Sequence, residues 1–293
     1  MFGRSQLALV AACALWALSF IASKVGLRST PPFAVVTIRL IMSTACFLAW
    51  MAYRRRRFTF RGWRWFGEMV LLSLFGTSLH YGTQTVGLQW TQAANASLYS
   101  ITGPLSITLI GFLVLGERLT PKKTAGILTA MVGVLVVMGI GTLAAAKFGN
   151  HLKGDLLVIA SIAMWGIFTV YGKHLSMKAD ALEVVTIVTA IGAITMLPVG
   201  WIEAQRHGFT LAAVTAAGWG ALAFLGVGCS FLATLLYFRA LEKMESQKVG
   251  VYLYLIPPMT YLVSWAYLGE TIGWNLLAGS LLVLGGVYLT ERG

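Results

Sequence analysis

Apolar runs of about twenty residues recur from one end of the chain to the other, separated by short clusters of charge, proline and turn residues. A hydrocarbon core about 30 Å thick needs about 20 helical residues to cross it. In lipid, a helix satisfies its own backbone donors and acceptors, which an isolated strand cannot do. The pattern therefore predicts an all-α polytopic membrane protein. Its ten transmembrane helices fall at about 5–26, 34–53, 66–88, 93–115, 123–143, 153–175, 182–202, 214–240, 246–268 and 274–290. The first run, within Met1 to Ser23, is too long for a signal peptide and has a near copy in mid-chain, so it reads as a retained span.

Composition excludes the main competing classes. Of 293 residues, 58% are hydrophobic and 11% charged, against about 45–50% and about 25% in soluble domains. The net charge of +12 would suggest nucleic acid in a soluble chain. Here it reads as loop charge biased to the cytoplasmic face, and no nucleic-acid partner is expected. The densest run is Arg54-Arg55-Arg56-Arg57, followed by Arg61 and Arg64. With both termini cytoplasmic, 16 Lys and Arg lie inside, five (Lys24, Arg28, Lys147, Lys153, Arg206) lie outside, and Arg39 lies within a span. Cys13, Cys46 and Cys229 sit in apolar runs without metal-ligand spacing and read as small free hydrophobes.

The chain also repeats itself. Tyr99, Pro104, Leu115-Gly116-Glu117, Gly126 and Gly133 recur as Tyr252, Pro257, Leu268-Gly269-Glu270, Gly279 and Gly286, all 153 residues later. Trp16 precedes Lys24 by eight residues, as Trp165 precedes Lys173. Two five-span units, 5–143 and 153–291, follow from this. Five crossings are an odd number, so the second unit enters the membrane inverted, as in many secondary transporters.

The paired pattern of a mid-helix proline, a closing Leu-Gly-Glu and Gly-x6-Gly in the next helix resembles the EamA family of the drug/metabolite transporter superfamily. Arg39, after Pro31-Pro32-Phe33, also matches that family. The resemblance covers both repeats and implies a multi-pass protein of the bacterial inner membrane. It further implies export of metabolites, with the bacterial aromatic and neutral amino-acid exporters the nearest group.

Candidate transport residues follow from polarity at membrane depth. His80 and Tyr81, with Gln84 a turn later, lie within the third span; a buried imidazole either bridges helices or serves substrate or proton. Asn95, Ser97 and Tyr99 form a polar flank in the fourth span, and Gln247, Tyr252 and Tyr254 form one in the ninth. Interhelical hydrogen bonding explains such residues as readily as a substrate does. Trp16 and Trp165 lie deeper than an interfacial belt, and with Phe168 and Tyr171 they supply aromatic faces. Pro104 and Pro257 predict kinks in the middle of spans 4 and 9, as static bends or as hinges. Arg39 reads as structural, near enough to the outer interface to snorkel. Glu117 and Glu270 read as end caps, and the four repeated glycines as packing faces open to oligomerisation.

Several absences narrow the function. No Asp or Glu lies deep in a span, no GxxxxGK[ST] sequence is present, and no cluster has metal or catalytic spacing. No cofactor, metal or enzymatic activity is therefore expected, and monomer and homodimer are both compatible. The reading is a secondary transporter for small amphipathic metabolites, foremost neutral and aromatic amino acids. It would work by alternating access around a midplane cavity formed by helices 1, 3, 4, 6, 8 and 9. A multidrug exporter of hydrophobic cations is the alternative, ahead of a membrane enzyme or a channel.

Overall fold

The computed structural model describes residues 3–91, 96, 99–145, 152–268 and 274–293. Asn95, Ser97 and Glu270 fall outside them. Among the described residues the structure is helical, without strands. Its helical stretches are α1 (Arg4–Gly26), α2 (Pro32–Tyr53), α3 (63–90), α4 (Thr102–Leu115), α5 (Pro121–Ala145), α6 (Leu152–Ser176), α7 (Ala181–Arg206), α8 (Ala216–Leu241), α9 (246–268) and α10 (Trp274–Glu291). Five of these, α1, α2, α6, α7 and α8, are long and apolar enough to cross a membrane, with mean hydropathy between 1.7 and 2.0. Their outward faces remain apolar, as at Leu7, Ile41, Leu197 and Leu232, which suits a helix bundle solvated by lipid rather than water.

The central helices are interrupted, each for a local reason. α1 has a turn at Leu18, where the Ser19 hydroxyl donates to the Trp16 carbonyl at 2.6 Å. α3 and α8 each contain a π-helical stretch, Leu74–Leu79 and Phe224–Ala233. α9 begins as a short α-helical stretch, tightens to a 3-10 turn at Tyr252–Leu255 and resumes as α-helix at Ile256. Pro104 and Pro257 stand at helix starts rather than in the middles of their helices, whereas Pro198 lies inside α7. Pro104 is the third residue of α4, and Pro257 the second residue of the restarted stretch Ile256–Leu268. A first turn has no intrahelical partner for those amide hydrogens, so proline is tolerated where a helix restarts.

Packing follows small residues and buried rings. Tyr237, Phe238, Phe168, Phe47 and Met69 centre the main core, joined by Leu9 and Cys13 from α1. α5 and α10 meet along their glycines. A Cβ on Gly126 would sit 2.7 Å from the Gly286 carbonyl oxygen, and one on Gly133 would sit 2.8 Å from that of Gly279. The register makes the two helices antiparallel, and it turns the glycine faces toward each other within one chain. α2 and α7 pack as closely, with the Thr37 hydroxyl 3.0 Å from the Met196 carbonyl.

The start of α1 and the end of α10, near the two termini, lie at one end of the bundle, where Gln6 Nε2 donates to both carboxylate oxygens of Glu291 at 3.0 and 3.1 Å. The same end holds the ion pairs Lys173–Glu117 (2.8 Å), Arg61–Glu183 (2.9 Å) and Lys123–Glu245. At the opposite end, Lys24 donates to the carbonyls of Leu88 and Thr91, and Glu203 accepts from the amides of Phe33 and Ala34.

Candidate functional site

A cavity of about 100 Å³ lies among α1, α2, α3, α4, α6 and α9. It sits halfway along α6, and past the middle of α1 and α3 toward the end opposite the termini. Trp16 and Trp165 bring the two halves of the chain together there, their ring centroids 5.2 Å apart and their planes at 85°. The His80 ring lies 5.2 Å from that of Trp165, tilted at 41°, and Tyr81 is 4.9 Å from His80. Gln84, Ser19 and Ser100 add polar atoms to the wall.

The π-helical stretches set this geometry. A π turn widens the backbone ladder and leaves a carbonyl free for a partner outside the helix. In α8 the Cys229 carbonyl accepts the indole N–H of Trp16 at 3.2 Å and the Thr234 hydroxyl at 3.3 Å. This anchors Trp16 in the cavity wall. In α3 the π stretch ends at His80, and Gly76 within it clears the ring of Phe168, with which any Cβ would overlap. α3 therefore lies flush against α6. His80 Nδ1 lies 2.7 Å from the Ser161 carbonyl oxygen. A carbonyl only accepts, so Nδ1 carries a proton.

Arg39 does not snorkel. It is 3% exposed, and its side chain runs from α2 into the cavity wall. Nε donates to the Ser230 hydroxyl at 2.9 Å, and the guanidinium carbon lies 4.0 Å over the Tyr81 ring. The small Ser230, in the π stretch of α8, leaves the long side chain room to turn inward. α2 thus enters the site, whereas α8 supports it from behind and supplies no lining residue.

Six of the residues singled out in the sequence, Trp16, Arg39, His80, Tyr81, Gln84 and Trp165, line this one cavity. Tyr99, Tyr252, Gln247, Tyr254, Phe168 and Tyr171 are not among its lining residues. Tyr252 donates its hydroxyl to Glu291 at the end with the termini, and its carbonyl accepts from Cys13 Sγ at 3.2 Å. A 3-10 turn repeats every three residues, so Leu253 and Ile256 share the cavity face and Tyr252 is rotated off it. Tyr99 packs with Leu88, Ala96, Val158 and Ile162, beside the carboxylate of Asp155. Pro104 and Pro257 each follow a lining residue, Gly103 and Ile256. Ser19, Phe20 and Ser100 belong to the wall without having been foreseen; short polar or apolar residues in a long apolar run carry no distinguishing pattern.

The comparisons with known proteins agree with this architecture. The model of the EamA-like transporter family matches residues 4–139 and again 152–292. An uncharacterized transporter of Archaeoglobus fulgidus is 30% identical over 99% of this chain and 98% of its own. A "probable terminal-alkyne amino-acid exporter" of Streptantibioticus cattleyicolor is 27% identical, covering 97% and 92%. A "probable amino-acid metabolite efflux pump" of Salmonella typhimurium is 25% identical, covering 95% and 92%. A solved crystal structure superposes with a TM-score of 0.82 at 18% identity, over 100% of this chain and 98% of the other, and so shares the fold. With a family model matched twice along nearly the whole chain, and multiple apolar helices to carry it through a bilayer, the chain belongs to the EamA-like transporter family.

Proposed function

We propose that this transporter exports neutral and aromatic amino acids, and amphipathic metabolites like them, by alternating access around the cavity between its halves. In this reading ten spans form two inverted repeats, both termini are cytoplasmic, and the arginine-rich segment 54–64 lies on the inner face. The paired contacts support the inverted repeat. Lys24 donates to the Thr91 carbonyl as Lys173 donates to that of Met244, and Met244 stands one repeat offset after Thr91. The glycine contacts exchange partners in the same reciprocal way, as a two-fold axis between α5 and α10 requires.

The observation that carries the substrate class is the wall where Trp16 and Trp165 meet, with His80, Tyr81 and Gln84 beside them. Indole faces take an aromatic ring, an apolar side chain or an ammonium group, while a few polar groups fix orientation. The names of two relatives point to amino acids and their metabolites. A hydrophobic cation fits the cavity less well, because among the described residues its lining includes Arg39 and no Asp or Glu. At about 100 Å³ the cavity is smaller than the roughly 150 Å³ that houses one benzene ring. An aromatic substrate therefore requires the helices to part, as alternating access demands.

The test is counterflow into proteoliposomes across a panel of labelled amino acids and cationic dyes. The expected result is exchange of aromatic and branched neutral amino acids without movement of the dyes. Dye transport without amino-acid exchange would reverse the assignment.

A further inference from the structure

Among the described residues, Arg39 is a buried cation without a carboxylate partner. At 3% exposure it makes one hydrogen bond among the described residues, from Nε to the neutral Ser230 hydroxyl. No carboxylate lies within 4.0 Å of it among those residues, although five other cations of the chain have such partners. A guanidinium removed from water and left unpaired is costly. The Tyr81 face, 4.0 Å away, offsets part of that cost. The Ser230 bond occupies Nε and the Tyr81 face holds the group, leaving the forked pair of terminal nitrogens without a hydrogen bond among the described residues. Paired donors in that geometry match the two oxygens of a carboxylate.

We propose that Arg39 is the carboxylate receptor of the transport cavity, and that the protein takes monocarboxylates bearing an apolar or aromatic group. The inference rests on the reading of this cavity as the transport site, and it adds what sets the substrate's polarity. The ring or side chain lies toward Trp16 and Trp165, and the acid group lies at the Tyr81 end. A single cation in the lining matches one negative charge, so dianionic phosphate esters are disfavoured. An α-ammonium group is accommodated by the indole faces and Gln84 but is not required.

The experiment measures direct binding of three labelled probes to the purified full-length chain in nanodiscs: L-phenylalanine, 3-phenylpropionate and 2-phenylethylamine. Both carboxylates are expected to bind, and the amine to bind at least about tenfold more weakly, since a charge-assisted hydrogen bond is worth about 1.5–3 kcal/mol. Arg39→Gln should abolish that discrimination, and Arg39→Lys, which keeps charge without the planar fork, should restore part of it. If Arg39→Gln does not fold, the comparison of acid with amine on the unaltered protein still decides. Binding of the amine as tight as that of the acids, binding of neither acid, or unchanged acid affinity in folded Arg39→Gln would overturn the proposal. Amino-acid counterflow that survives Arg39→Gln would sink this inference while leaving amino-acid export standing. Arg39-dependent binding of 3-phenylpropionate without amino-acid transport would do the reverse.

Discussion

Lys173 and Glu117 join the two halves of the chain through a 2.8 Å ion pair whose carboxylate also caps a helix. Glu117 Oε1 accepts from Lys173 Nζ and the Ser246 amide, the latter at 2.7 Å; Oε2 accepts from the Ser246 hydroxyl at 2.7 Å and the Gln247 amide at 3.2 Å. Those amides are unpaired donors of the first turn of α9, where the helix dipole also favours an anion. One side chain thus fastens the ends of α4, α6 and α9 together. Under the proposed function, any movement that opens this end must break the cluster.

Glu117→Gln should therefore lower stability by about 3 kcal/mol, because it leaves the Lys173 charge buried and unpaired. Burial by itself pushes the Glu117 carboxyl up, but the bonds from Lys173 and Ser246 outweigh it and hold the group below its ordinary value of 4.5. A depressed carboxyl contributes stability that is present above that ordinary value and is lost as pH falls through the lower native one. Thermal melts in detergent should show an acid decline below about pH 4.5 that is shallower in Glu117→Gln. Equal acid profiles for the two proteins would contradict this assignment.

The glycine seam between α5 and α10 makes a paired prediction. Gly133→Ala places a methyl 2.7 Å from the Val283 amide and 2.8 Å from the Gly279 carbonyl. The helices must separate, at about 1–3 kcal/mol. Gly285, where a methyl group would meet nothing within 4 Å, should tolerate alanine or gain up to about 1 kcal/mol from helix propensity. Melting temperatures of the two variants against the unaltered protein provide the check.

Trp16 is held by its bond to the Cys229 carbonyl. Trp16→Phe keeps an aromatic face but removes the donor, and should cost about 1 kcal/mol. Trp16→Ala, which also empties part of the wall, should cost about 3–5 kcal/mol. Under the proposed function, the affinity for phenylalanine falls in the same order. Binding isotherms together with melting curves separate the two effects, and an alanine variant with unchanged affinity would remove Trp16 from the site.

Proton coupling is expected to be weak. Among the described residues the cavity lining contains no carboxylate, and His80 Nδ1 is committed to the Ser161 carbonyl. An imposed pH gradient should not drive uphill amino-acid movement in proteoliposomes, either for the unaltered protein or for His80→Asn, which keeps a donor near the same place. Gradient-driven accumulation that His80→Asn abolishes would instead make His80 the proton carrier.

Much of this was legible in the chain before any packing was known. The twenty-residue apolar period sets a helical membrane protein, because lipid offers no partner for an unpaired backbone group. The glycines at the 153-residue offset mark close-packed faces, since only they admit backbone against backbone. Trp16, Trp165, His80, Tyr81 and Gln84 were recognisable because polar and indole groups at membrane depth are costly unless they face one another or a cavity.

Tertiary structure decided the directions of side chains, which depend on helix rotation rather than on residue type. The π stretches in α3 and α8 and the 3-10 turn in α9 each rotate the residues beyond them about the helix axis. They bring His80 against Ser161, open the Cys229 carbonyl to Trp16, and turn Tyr252 away from the cavity toward Glu291. No residue pattern announces those turns, because they are stabilised by the neighbours they pack against. For the same reason Arg39, six residues from a helix end by sequence, is directed inward. A serine on a distant helix leaves the space and accepts the hydrogen bond.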